Sequence, residues 1–144
     1  MNPLNEDERQ QLIDAALSAQ RRAYAAYSGF HVGAALLHAN GQIFTGANVE
    51  NASYGLTLCA ERVAAAAAVT STETLDPRWR AIAVASRTGV TPCGACRQFL
   101  MEFAPEMEVL LVDSERRTIQ GVSVLRDLLP GAFEFKPHLR KSKP

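Results

Sequence analysis

The sequence predicts an α/β fold with helices on both faces of one sheet. Three observations carry that expectation. Five short apolar stretches are separated by turn residues; two helical stretches each bridge successive strands; and an Asn-Gly pair closes a hairpin between the first two strands. Helices bridging strands favour right-handed parallel crossovers.

Each element has a local reason. Asn5 followed three residues later by Glu8 reads as a capping box, and Leu12, Ile13, Ala16, Leu17 and Ala23 recur at helical spacing. The first helix is therefore expected over residues 6–25, broken by Tyr27-Ser28-Gly29-Phe30. An apolar run at 32–38 ends near Asn40-Gly41, and residues 42–49 return as its partner strand. Residues 58–69 are alanine-rich without a breaker, which predicts a helix. Ala-Ile-Ala-Val-Ala at 81–85 reads as a buried strand. Residues 93–103 have helical character and stop before Pro105. Further strands are expected at 107–112 and 118–122, antiparallel because only a tight turn at 114–117 joins them. Ser123 is placed to cap a last short helix that ends at Pro130-Gly131. One domain is expected over residues 1–144, with a frayed basic tail at 136–144.

Composition narrows the function classes. Of the 144 residues 47% are hydrophobic and 21% charged, and fifteen basic side chains balance fifteen acidic ones. A chain of this length buries roughly two-thirds of its unfolded surface and needs no disulfide staple. Charge balance argues against a footprint for nucleic acid or anionic membrane. The acidic start, Met-Asn-Pro-Leu-Asn-Glu-Asp-Glu, lacks the features of a secretory signal, and no apolar run approaches a bilayer span. Three cysteines, an odd count, suit a reducing cytoplasm in which thiolates serve a metal or chemistry. A cytoplasmic protein is expected.

Pro92-Cys93-Gly94-Ala95-Cys96 opens a predicted helix, and residues i and i+3 share a face, so both sulfurs can point at one ion. Alone, a C-x-x-C is equally a redox pair or two structural cysteines. Cys59 tips the balance. It lies 34 residues upstream at the start of the other bridging helix, and two helix N-termini can converge at one end of the sheet. Helix N-termini stabilise thiolates. Three protein ligands leave a fourth tetrahedral position for water, the pattern of a catalytic zinc. His31, His38 and His138 are possible fourth ligands, or ordinary strand and tail histidines.

Glu61 lies two residues after Cys59, about 200° around an ideal helix. In the first turn both side chains still reach past the helix end, where a carboxylate beside activated water is a natural proton carrier. Its plainer reading is an acid complementing the helix dipole. Arg62 either offsets the excess charge of three thiolates or is a solvated surface arginine.

Cys59-Ala60-Glu61 with Pro92-Cys93-Gly94-Ala95-Cys96 resembles the zinc deaminase signature, with cysteine in place of its first histidine. Residues 27–36, 44–55 and Leu128-Leu129-Pro130-Gly131-Ala132-Phe133 resemble blocks of the short, three-cysteine cytidine deaminases. The likeness runs from about Ala15 to Phe133. It implies a three-layer α/β/α domain on a five-stranded mixed sheet, one Zn²⁺ per chain held by Cys59, Cys93 and Cys96, and a homotetramer.

It also implies hydrolytic deamination of cytidine and deoxycytidine, a pyrimidine salvage reaction, with Glu61 moving the protons. By the same likeness Asn48 and Glu50 bind the ribose, as an amide and a carboxylate on one strand face can, and Phe30 packs on the pyrimidine. Asn51, Ala52 and Tyr54 reach substrate partly across a subunit boundary, Ala60 lines the site between Cys59 and Glu61, and Phe133 is donated to a neighbour's pocket. The chain departs from the family at Ala26, Gly29, His31 and Ala47; Gly29 is expected to loosen the loop presenting Phe30.

Rival readings differ in substrate or class. A deaminase of another aminopyrimidine nucleoside, such as a blasticidin-type antibiotic, keeps the chemistry. A nucleic-acid editing enzyme needs a basic channel, and clustered charge is confined to Lys136, Arg140, Lys141 and Lys143. A non-catalytic zinc module needs a fourth protein ligand, and a redox protein a Cys93–Cys96 disulfide.

Overall fold

Asn5 starts the chain's first helix as expected. Its side chain accepts the Glu8 N–H at 2.8 Å, and the Glu8 carboxylate accepts the Asn5 N–H at 3.0 Å. The computed structural model describes residues 3–74 and 76–135; the basic tail and His138 lie outside them. In order the elements are α1 (Glu6–Gln20), β1 (Gly33–His38), β2 (Ile43–Ala47), α2 (Ala60–Thr70), β3 (Trp79–Ser86), α3 (Gly94–Met101), β4 (Glu108–Asp113) and β5 (Thr118–Val124). Short 3₁₀ turns lie at Tyr54–Leu56 and Leu125–Leu128.

The five strands form one mixed sheet in the order β2-β1-β3-β4-β5. β1 pairs antiparallel with β2 and β3, β3 pairs parallel with β4, and β4 antiparallel with β5. Both crossovers join strands of one direction, but α2 passes over β1, so only β3 and β4 are parallel neighbours.

Side chains alternate along a strand, and the core divides accordingly. Ala34, Leu36, Ile82, Val84, Val109 and Leu111 pack with Ala60, Ala64, Ala68 and Leu100 of the α2–α3 layer. Ala35, Leu37, Ala81, Ala83, Leu110 and Val112 pack with Leu12, Ile13, Ala16 and Leu17 of α1. This is the expected three-layer α/β/α arrangement.

Two expectations are corrected. The first helix stops at Gln20, not Ala25, because Tyr24 leaves the helix to bridge Val49: Tyr24 N–H donates to Asn48 O at 2.9 Å and Glu50 N–H to Tyr24 O at 2.8 Å. Alanine propensity loses here to a tertiary backbone pairing. Ser123 does not cap the final turn, since it lies within β5 and pairs with Val109. The final turn itself is 3₁₀, over Leu125–Leu128, and has no side-chain cap.

Small residues set how closely α2 approaches the sheet. A Cβ on Gly46 would lie 2.5 Å from the Ala64 nitrogen and 2.6 Å from the Ala60 carbonyl oxygen. Those are backbone atoms of the helix itself. Gly46→Ala must therefore push α2 outward, and overpacking of this kind costs about 1–3 kcal/mol. Denaturant unfolding is expected to show a lower midpoint at an unchanged m-value.

β2 and β3 point the same way, so α2 and α3, which come directly after them, begin at the same end of the sheet. That end carries the site. Among the described residues no helix is long and apolar enough to cross a membrane.

Candidate active site

Cys59 is the N-cap of α2 and Cys93 the N-cap of α3. Cys96 lies one turn further along α3 and is fully buried. Their sulfurs gather: Cys59 Sγ and Cys93 Sγ are 3.9 Å apart, Cys93 Sγ and Cys96 Sγ 3.5 Å, and all three lie within 4.8 Å of one another. Tetrahedral zinc with Zn–S bonds near 2.3 Å requires sulfurs about 3.8 Å apart. The donor set fits that ion.

The protonation of the cluster points the same way. The Cys59 thiol is lowered to about 5, chiefly because Cys96 donates its proton toward it, with Arg62 and Cys93 assisting. Cys96 is pushed up by the same interaction and by burial. One sulfur ionises at its neighbour's expense, and a divalent cation is what allows all of them to ionise together.

No fourth protein ligand joins them among the described residues. His38 ends β1 at the other end of the sheet, its Nδ1 accepting the Asn40 N–H at 3.1 Å. His31 Nδ1 lies 3.0 Å from Gly29 O. Three sulfurs and an open position match a catalytic site better than a closed structural one.

Glu61, the second residue of α2, is 5% exposed. Burial raises its carboxyl pKa first, and the neighbouring Cys59 thiolate raises it further. A buried acid beside the sulfurs is suited to holding and releasing protons. Arg62 is not a solvated surface residue: Nη2 lies 3.6 Å from Cys59 Sγ and 3.5 Å from Thr57 O. Its Nε is buried with no hydrogen-bond partner among the described residues.

The segment carrying Asn48 and Glu50 is held against the start of α2 by Val49, which exchanges two 2.9 Å hydrogen bonds with Leu58. Asn48 is buried. Its Oδ1 accepts the Val32 N–H at 2.8 Å and its Nδ2 donates to Phe30 O at 2.8 Å, so it braces the loop bearing Phe30. One donor and one acceptor position remain on that amide.

Glu50 lines a cleft of about 370 Å³ with Tyr27, Ser28, Asn51, Tyr54 and Thr57. Thr57 connects the cleft to the sulfurs, since its carbonyl meets Arg62 and its hydroxyl accepts the Asn51 N–H at 3.2 Å. A larger cleft of about 640 Å³ lined by Glu8, Arg80 and Phe103 shares no residue with this site.

The remaining expected site residues are more scattered. Ala60 is fully buried; as the first helical residue, its N–H has no intrahelical partner. The Phe30, Tyr54 and Phe133 rings are exposed. Ala52 is exposed, and Phe133 O accepts from Gln98 of α3 at 3.0 Å. Gly29 sits at φ +69°, a conformation that glycine adopts without strain. It turns the chain at the loop that presents Phe30. Ser28 and Thr57 also line this cleft and were not among the expected site residues. A serine ahead of a Gly-Phe step was the available signal for a side chain that closes a turn.

Comparison with known proteins agrees with this geometry. The family model described as the cytidine and deoxycytidylate deaminase zinc-binding region matches residues 6–112. A cytidine deaminase of Halalkalibacterium halodurans is 45% identical over 126 residues, covering 88% of this chain and 94% of the relative. The crystal structure of cytidine deaminase from Burkholderia pseudomallei superposes with a TM-score of 0.78 at 44% identity, covering 90% of this chain and 100% of that one. That from Mycobacterium tuberculosis gives 0.72 at 40% identity, covering 88% and 98%. With the three sulfurs, the buried carboxylate and the layered fold all in place, the chain belongs to the cytidine and deoxycytidylate deaminase zinc-binding family.

Proposed function

We propose that this chain is a zinc-dependent hydrolase that deaminates cytidine and deoxycytidine to the uridine products and ammonia, as a pyrimidine salvage enzyme. The observation that carries this is the buried Glu61 carboxylate beside three convergent sulfurs at two helix starts. Cys59, Cys93 and Cys96 would hold one zinc ion, which would supply Lewis acidity and acidify the attacking water.

The chain's own residues do the rest. Glu61 takes a proton from the attacking water and passes it to pyrimidine N3, which makes C4 electrophilic. After attack at C4, Glu61 carries the second proton to the amine, and ammonia leaves. Arg62 draws charge from Cys59 and so offsets the excess of three thiolates on one divalent ion. Glu50 and Asn48 bind the ribose, Phe30 packs on the base, and the Ala60 N–H faces the ring. Asn51 and Tyr54 line the cleft, and with Ala52 they reach substrate partly across a subunit boundary.

A homotetramer is part of this reading. Tyr27, Tyr54, Leu56, Leu58 and Phe133 are large apolar side chains left exposed around the site, and a neighbouring copy carrying Phe133 would cover them. Sedimentation is expected to give four chains per particle.

One measurement tests the activity. Purified protein should contain about one zinc per chain and remove the cytidine absorbance band, and chelator should abolish the loss. Free cytosine and blasticidin-type compounds should react far more slowly, because neither presents an unmodified ribose to Glu50. No cytidine turnover by zinc-loaded protein would overturn the proposal.

A further inference from the structure

Glu50 is not an open carboxylate. Its Oε1 accepts the backbone N–H groups of Tyr27 at 2.9 Å and Ser28 at 3.0 Å. Its Oε2 accepts the Ser28 hydroxyl. That hydroxyl in turn accepts the Phe30 N–H at 3.0 Å. Gly29, at φ +69°, bends the chain so that Ser28 and Phe30 close this turn.

A carboxylate offers about four lone-pair positions, two per oxygen. Two on Oε1 and one on Oε2 are taken, which leaves a single acceptor position on Oε2. The direction of the Ser28 hydroxyl is settled too. Because it accepts from Phe30, its own proton is directed at Glu50. A hydroxyl on the substrate can then only donate to Glu50, at one place.

We propose that Ser28 is a positioning residue for sugar recognition: it holds the Glu50 carboxylate in one orientation and ties it to the backbone of Phe30, so that one acceptor site is presented to a ribose hydroxyl. This rests on the reading of the protein as a nucleoside deaminase in which Glu50 meets the sugar. Ser28 acts through Glu50, to which its hydroxyl donates. The lowered pKa of Glu50, caused first by the Ser28 hydroxyl and then by the Ser28 and Tyr27 N–H groups, agrees with a carboxylate held ionised.

Without the Ser28 hydroxyl, Glu50 keeps its two backbone donors on Oε1, but Oε2 is free to take water and Phe30 N–H loses its acceptor. Sugar binding weakens while the reacting atoms are untouched. Hydrogen bonds to charged groups are strong enough that a loss of roughly tenfold is expected.

The test compares steady-state constants of zinc-loaded wild type, Ser28→Ala and Ser28→Thr with cytidine and with 2′,3′-dideoxycytidine. For cytidine, Ser28→Ala should raise KM about tenfold and leave kcat within about twofold, and Ser28→Thr should restore KM. With the dideoxy substrate, which has no ring hydroxyl to donate, Ser28→Ala should raise KM far less than with cytidine, the remainder reflecting the Phe30 N–H that loses its acceptor. The side chain is exposed, so truncation is not expected to unfold the protein. Ser28→Cys, which preserves size with a weak donor, repeats the comparison if Ser28→Ala loses zinc. An unchanged KM for cytidine, a fall confined to kcat, or an equal penalty on both substrates would overturn the inference. Failure of the wild type to turn over cytidine would instead overturn the deaminase reading.

Discussion

Glu61→Gln is expected to retain zinc at one per chain, keep its melting temperature, and lose roughly 10²–10⁴-fold in kcat for cytidine, the range that positioned proton transfer contributes. Glutamine matches glutamate in shape and fits the same buried position at the second residue of α2. What it lacks is a group that can take a proton from water and give it up again. Since the reaction needs two such transfers, one to N3 and one to the amine, both are lost together. Metal analysis and rapid absorbance kinetics on the same preparation decide the matter. Near-normal turnover would show that the protons travel by another route.

The second large effect is at the metal. Cys96→Ala removes a fully buried sulfur, 3.5 Å from Cys93. Loss of an outer hydrogen-bond partner alone weakens zinc binding about 10–100-fold, so loss of one of three direct ligands should exceed that. Zinc per chain after dialysis should fall from about one to near zero, and cytidine turnover should fall below detection. Added zinc should not restore it, whereas the chelated wild type should recover on zinc addition. Retention of zinc by Cys96→Ala would place the ion elsewhere and remove the basis of the catalytic account. Zinc loss from a His31 variant would instead favour a closed structural site.

Much of the site is legible in the sequence alone. Three cysteines in two short motifs, each at a helix start, point to a metal with an open fourth position, whereas the part of Glu61 comes from the family resemblance, since by its own position it reads first as an acid on the helix dipole. Arg62 was ambiguous. A surface arginine and one aimed at a sulfur have the same sequence, and only the 3.6 Å approach to Cys59 separates them. The family resemblance assigns Asn48 to the ribose, and the structure shows that its amide also braces Phe30 and Val32. Local periodicity carries no record of such a contact.

Binary pattern, caps and breakers determined by themselves which segments become helix or strand, since alternation and helical spacing are properties of neighbours along the chain. They also placed both cysteine motifs at helix starts. Tertiary structure decided what those elements do to one another: that α1 ends early so Tyr24 can bridge Val49, that α2 skips over β1, and that Ser28 reaches across 22 residues to Glu50. The physical reason is distance in sequence. A backbone group or hydroxyl takes whichever partner the fold brings near, and that partner is fixed only once the whole core has packed.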